Sequence, residues 1–108
     1  NEPVGPFGVM GAFMQPQGHL QMIANMVDFE LNPQEALDAP RWQWLEGRKV
    51  GLEQGVENHI IKELASMGHE VHVDYDQTSY GRGQMIIRGG GALIGATEPR
   101  ADGYIAVY

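Results

Sequence analysis

Between Gly8 and Arg41 a glycine-bearing turn, Gly11-Ala12, opens directly onto a long helix-forming run and then a short one, and this constrains the fold more than any other stretch. Val4 to Met10 mixes Gly, Pro and apolar residues, which suits a short buried strand ending at that turn. Gln15-Pro16 starts the helix, with proline in the first turn, where a missing N–H does no harm. From Gln17 to Phe29, Leu20, Met22, Ile23, Ala24, Met26 and Val27 recur at spacings of three and four, which predicts a broad buried stripe. Asn32 is a natural N-cap, Pro33 falls at the first helical position, and Glu35 favours the positive end of the dipole, so NPQEALDA reads as a second helix stopped before Pro40. A strand that turns into a helix start in this way can aim backbone N–H groups at a developing negative charge.

The rest of the chain completes a mixed pattern. Lys49 to Leu52 reads as a strand, and Val56 to Met67 as an amphipathic helix ended by Gly68, with Ile60, Ile61 and Leu64 on its buried side. Glu70 to Val73 alternates as a half-buried strand, and Tyr80 to Gly83 makes a turn. Gln84 to Arg88 and Ala92 to Ala96 flank Gly89-Gly90-Gly91 as a β-hairpin. The expected order is β-α-α-β-α-β-β-β, an α+β arrangement of a sheet covered by helices, in one segment spanning residues 1–108.

Charge and composition exclude several functions. With 7 Lys and Arg against 14 Asp and Glu, the chain has no basic face for nucleic acid. Its 43% hydrophobic content provides for one core and nothing in excess that points to a membrane span. The absence of cysteine removes disulfides, thiolate metal sites and thiol catalysis, but leaves the compartment open.

Few side chains are arranged for chemistry. Ser66, Thr78, Ser79 and Thr97 are the hydroxyl candidates, and none sits in a nucleophile-elbow frame. His19 has no Ser, Thr or Asp beside it to complete a relay, so a packing or capping role is expected. His69 and His72 fall three apart on a strand and point to opposite faces, which argues against a metal; no cofactor is implied either. Trp42 and Trp44 share one side of an extended segment and are expected to pack beneath the sheet. Arg41, after Asp38-Ala39-Pro40, and Arg100, after Glu98-Pro99, are candidates for internal ion pairs that fasten loops.

Three strings, PFGVMGAFMQPQGHLQ, MVDFELNPQEALDAPRW and GATEPRADG, resemble the C-terminal part of the γ-glutamyltranspeptidase family, a likeness that runs from about Pro6 to Gly103. The resemblance implies an N-terminal nucleophile (Ntn) hydrolase fold, a four-layer αββα sandwich of which this chain supplies the C-terminal part. It also implies autocatalytic cleavage and an acyl-enzyme on a threonine that lies before Asn1, so that this chain alone is inactive. Its partners are then the large subunit and the nucleophile-bearing part of the small subunit, with a γ-glutamyl amide such as glutathione as substrate; assembly state and compartment stay open.

Where the family carries a Gly-Gly pair whose backbone amides form the oxyanion hole, this sequence has Gly11 and Ala12, and the catalytic role is carried to both. Each fixed donor in such a hole stabilises the transition state by about 2.7–4 kcal/mol. The family's substrate-carboxylate arginine lies in the other subunit and is not assigned to Arg41 or Arg100. Two alternatives stand beside this reading: an acylase of the same fold that cleaves cephalosporin side chains, and a non-catalytic binding or structural relative.

Overall fold

A computed structural model describes residues 1–108. The elements are β1 (Phe7–Met10), α1 (Met14–Val27), α2 (Pro33–Asp38), β2 (Trp42–Glu46), β3 (Lys49–Glu53), α3 (Asn58–Ser66), β4 (Glu70–Asp74), β5 (Arg82–Gly89) and β6 (Ala92–Thr97). The sequence reading lacks β2, and it places Arg82 and Gly83 in a turn although they open β5 and pair with Met10 and Val9; the single expected sheet is in fact two three-stranded sheets.

The first sheet runs β1-β5-β6 and is antiparallel throughout. Its β5–β6 hairpin turns at Gly90 and Gly91, with φ of 59° and 79°. Both values lie in the left-handed region that a two-residue hairpin turn requires and glycine adopts without strain. The second sheet runs β2-β3-β4, with β2–β3 antiparallel and β3–β4 parallel, the parallel pair being joined by α3.

Local sequence sets these boundaries. The Asn32 side chain accepts from the Glu35 N–H at 2.8 Å and the Glu35 carboxylate accepts from the Asn32 N–H at 3.0 Å, a complete capping box ahead of Pro33. The core, Val9, Met22, Ala36, Leu37, Met85 and Ala96, lies between α1, α2 and the facing side of the first sheet. At Gly18, α1 meets β1 so closely that an added Cβ would stand 2.7 Å from Val9 Cγ1.

The predicted stripe on α1 is corrected. Its buried residues are Met14, Gly18, Gln21 and Met22, whereas Leu20, Ile23 and Val27 are exposed. Periodicity located an apolar helix, but polar Gln21 is buried because it bonds to β2, and the Leu20–Ile23–Val27 face has no element over it. α3 likewise buries no residue, although Ile61 and Leu64 are partly covered.

Candidate active site

The turn between β1 and α1 has an uncommon backbone. Gly11 has φ 147° and Ala12 φ 50°, the latter a left-handed conformation costing a non-glycine residue roughly 1–2 kcal/mol. Carbonyl groups at Gly11 and Ala12 accept from Met14 and Gln15 N–H at 2.8 and 3.0 Å, which locks the turn into the first helical turn. The N–H groups of Gly11, Ala12 and Phe13 donate to no group within the chain. Free donors beside a helix N-terminus suit an anion or a developing oxyanion.

These residues line a cleft of ≈ 1120 Å³ together with Trp42, Trp44, Leu45, Thr78 and Ser79. No charged side chain lines it. The expectation that the tryptophans pack in the core is therefore wrong: Trp42 is 39% and Trp44 55% exposed. The strand carrying them is at a sheet edge, and its outer backbone is satisfied by side chains rather than by another strand. Gln17 Oε1 accepts from Trp44 N–H at 2.6 Å while its Nε2 donates to Trp44 C=O at 3.2 Å. Gln21 treats Trp42 the same way, at 3.0 and 2.8 Å. Two glutamines four apart on a helix rise roughly 6 Å, close to the roughly 6.6 Å between alternate strand residues, so each amide stands in for a neighbouring peptide. The Trp44 indole N–H donates to Gly47 C=O at 3.0 Å, which fixes the ring.

Behind the turn lies a buried ionic cluster. Arg41, 1% exposed, donates from Nη1 to the carbonyls of Tyr80 (3.1 Å) and Gly81 (2.9 Å), and from Nη2 to Leu37 C=O (3.2 Å) and Glu98 (2.8 Å). Gly81 Cα stands 3.1 Å from where a Gly11 Cβ would be, so the segment held by Arg41 backs the turn directly. Arg100 pairs with Glu98 at 2.8 Å and with Glu53, and Glu53 also accepts from Arg41 N–H at 2.7 Å. The two arginines thus fasten loops through ion pairs, as expected, but Arg41 reaches Glu98 rather than Asp38.

Burial pulls the Arg100 guanidinium down, yet bonds to Glu53 and Glu98 outweigh it and leave it raised. Arg41 is lowered, chiefly by burial and then by the charge of Arg100. Burial pushes Glu98 up, but the Gly83 N–H and both guanidiniums more than offset this and hold its carboxyl below the usual value.

Among the remaining candidates, His19, Ser66 and Ser79 have structural partners, whereas the buried Thr97 hydroxyl bonds to nothing in the chain. His19 Nδ1 lies 2.6 Å from Gln15 C=O and Nε2 3.4 Å from Val9 N–H, a geometry in which Nδ1 donates and Nε2 accepts. Its ring also packs on Phe7, with centroids 5.4 Å apart. Ser66 donates to Glu63 C=O, and Ser79 Oγ accepts from Gln43 Nε2 at 3.0 Å. Sequence reasoning missed Gln17, Gln21 and Glu53; the i, i+4 glutamines on a helix facing an aromatic strand were the signal available for the first two.

Comparison with known proteins matches residues 1–108 to the family model described as gamma-glutamyltranspeptidase. A "Glutathione hydrolase-like YwrD proenzyme" of Bacillus subtilis is 34% identical over 106 residues, covering 90% of this chain and 20% of that protein. A cephalosporin acylase from Bacillus halodurans superposes with a TM-score of 0.95 at 52% identity, over 99% of this chain and 20% of that one. A gamma-glutamyltranspeptidase from Pseudomonas nitroreducens, complexed with L-DON, gives a TM-score of 0.83 at 25% identity, over 97% of this chain and 55% of that one. This chain spans about a fifth of the length of the curated relatives it matches.

Proposed function

The chain belongs to the gamma-glutamyltranspeptidase family, with the α+β fold of Ntn hydrolases, and on that premise we propose that it contributes the oxyanion-binding turn and one wall of the substrate cleft to an amide-cleaving enzyme. The observation that carries this reading is the set of unpaired N–H groups at Gly11 and Ala12, on a turn opening into an uncharged cleft.

Attack on the carbonyl carbon of an amide moves a pair of electrons onto oxygen. The Gly11 and Ala12 N–H groups stabilise that charge, worth about 2.7–4 kcal/mol for each donor, and the left-handed Ala12 holds its own N–H in place before substrate arrives. Lacking an activated hydroxyl of its own, this chain works with a nucleophilic threonine exposed by self-cleavage elsewhere in the protein, and the acyl group passes from that threonine to water or an amine. The substrate under this reading is a γ-glutamyl amide such as glutathione. A second substrate class, the N-acyl side chain of a cephalosporin, is favoured by the high likeness to the Bacillus halodurans acylase.

Intact mass and N-terminal sequencing of the complete gene product test the proposal. Two chains are expected, the one containing this sequence beginning with threonine. A single uncleaved chain without that threonine would leave only a binding or structural relative.

A further inference from the structure

From the wall built by Phe13, Trp42 and Trp44, we infer that this enzyme selects amides carrying an uncharged aromatic or bulky apolar group beside the scissile bond; the inference rests on the proposed amide cleavage at the same turn. Three observations carry it.

Phe13 follows the oxyanion turn directly and is 94% exposed, while Trp44 is 55% exposed, and both line the cleft into which the turn opens. Free aromatic faces of this size within reach of the reacting carbonyl offer stacking and apolar contact to whatever the amide bears.

The wall is also rigid. Gln17 and Gln21 grip the backbone of both tryptophans, and the Trp44 ring is tied to Gly47 C=O. A surface fixed before binding loses little conformational freedom when a ligand docks, which is what a recognition wall needs.

Finally, the wall holds no charge. Its polar members, including Gln43, Thr78 and Ser79, are neutral, so a carboxylate or ammonium group placed against it finds no ion-pair partner and gives up hydration. Charged parts of the substrate belong on the opposite side of the cleft, and the neutral aromatic part belongs here. A group on the acyl side and a group on the leaving amine present the same chemistry to the wall.

The test uses the complete enzyme with two pairs of substrates: the γ-glutamyl amides of aniline and of glycine, which vary the amine, and the phenylacetyl and acetyl amides of one common amine, which vary the acyl group. Anilides are intrinsically better leaving-group amides, so the side that faces the wall is told by the pair whose aryl-over-small ratio falls in the wall variants, not by the wild-type preference itself. Trp44→Ala and Phe13→Ala are expected to lower the aryl-over-small ratio of kcat/KM about tenfold, with Trp44→Phe retaining most of it. Phe13 is nearly bare, so its replacement does not depend on refolding of the core.

In parallel, aniline and glycinamide are titrated onto wild type and variants, followed by tryptophan fluorescence and ligand-observed NMR. Cleavage with an aryl ratio that the variants do not change overturns the inference and leaves the amide-cleaving function standing. Absence of cleavage, with aniline binding still weakened by Phe13→Ala, overturns the proposed function and leaves the aromatic wall. Loss of both overturns both.

Discussion

Glu98 is the residue on which the interior depends. It accepts from Gly83 N–H at 2.5 Å and pairs with Arg41 and Arg100, whose side chains are 1% and 5% exposed. Because its carboxyl is held below the ordinary 4.5, the unfolded chain binds more protons than the folded one between the depressed value and that figure. Its stabilising contribution is therefore complete above about pH 4.5 and drains away as pH falls through the folded value. Glu98→Gln is expected to destabilise by about 3–5 kcal/mol at neutral pH, since two buried guanidiniums lose part of their countercharge. Urea titrations of wild type and variant from pH 7 to pH 3 should show that gap closing on the acid side; a constant gap would mean the carboxyl carries no linked charge. The ionic role of both arginines was legible from DAPR and EPR, as adjacent acids and a proline mark a fastened loop. Their dominant partners were not legible. Glu53 stands 47 residues from Arg100 and Glu98 stands 57 from Arg41, so only the folded sheets bring them together.

At the scale of elements, side-chain amides replace missing strands. Gln17 and Gln21 complete the outer edge of β2, and Gln34 does the same for β6, donating to Thr97 C=O at 2.9 Å and accepting from Thr97 N–H at 3.1 Å. Buried Gln21 makes the stronger clasp with β2. Gln21→Ala should cost about 1–3 kcal/mol, from two lost bonds at roughly 0.5–1.5 kcal/mol each. Gln17→Ala, near solvent, should cost about 1 kcal/mol or less because water replaces the amide. Amide hydrogen exchange checks the mechanism more directly: Trp42 N–H should lose protection in the first variant and Trp44 N–H in the second, with β3 little changed. The clasp also explains which elements were legible. Capping and glycine signals located α2 and the β5–β6 hairpin because both are set by neighbouring residues. β2 escaped because Trp-Gln-Trp-Leu-Glu buries no face and owes its extended form to a helix some twenty residues earlier. The cleft lining divides likewise: the Gly11-Ala12 turn ahead of a helix was legible from local residues, and the exposure of the tryptophans was decided by tertiary contacts.

The whole molecule exposes more surface than a self-sufficient domain of its size. Its accessible area is 7447 Å², against roughly 6,000 Å² expected for a folded chain of 11.9 kDa. The radius of gyration is 15.0 Å, where a compact chain of this length gives about 13 Å. Only 18 of 108 residues are buried, and the excess surface is apolar in character: Leu20, Ile23 and Val27 on α1, with Ile86 and Leu93 on the first sheet. On β5 and β6, Ile86 and Leu93 share the face opposite the core residues Met85 and Ala96; Ile105 covers that face at Gly95, and the two exposed side chains leave the rest open to a further layer. Area of this kind is what a neighbouring body of polypeptide covers, and at about 25 cal/mol per Å², burying some 1,500 Å² of it is worth tens of kcal/mol before ordering costs. We therefore expect the 108-residue chain on its own to be marginally stable and inactive, and to gain both stability and activity with the rest of a larger Ntn enzyme. Expressed alone, it should bind a hydrophobic dye and melt broadly, whereas the same segment within the complete protein should melt cooperatively without dye binding. A sharp, dye-free transition and amide hydrolysis by the isolated chain would contradict this, because the exposed α1 and sheet faces would then need no covering layer and the cleft no outside nucleophile.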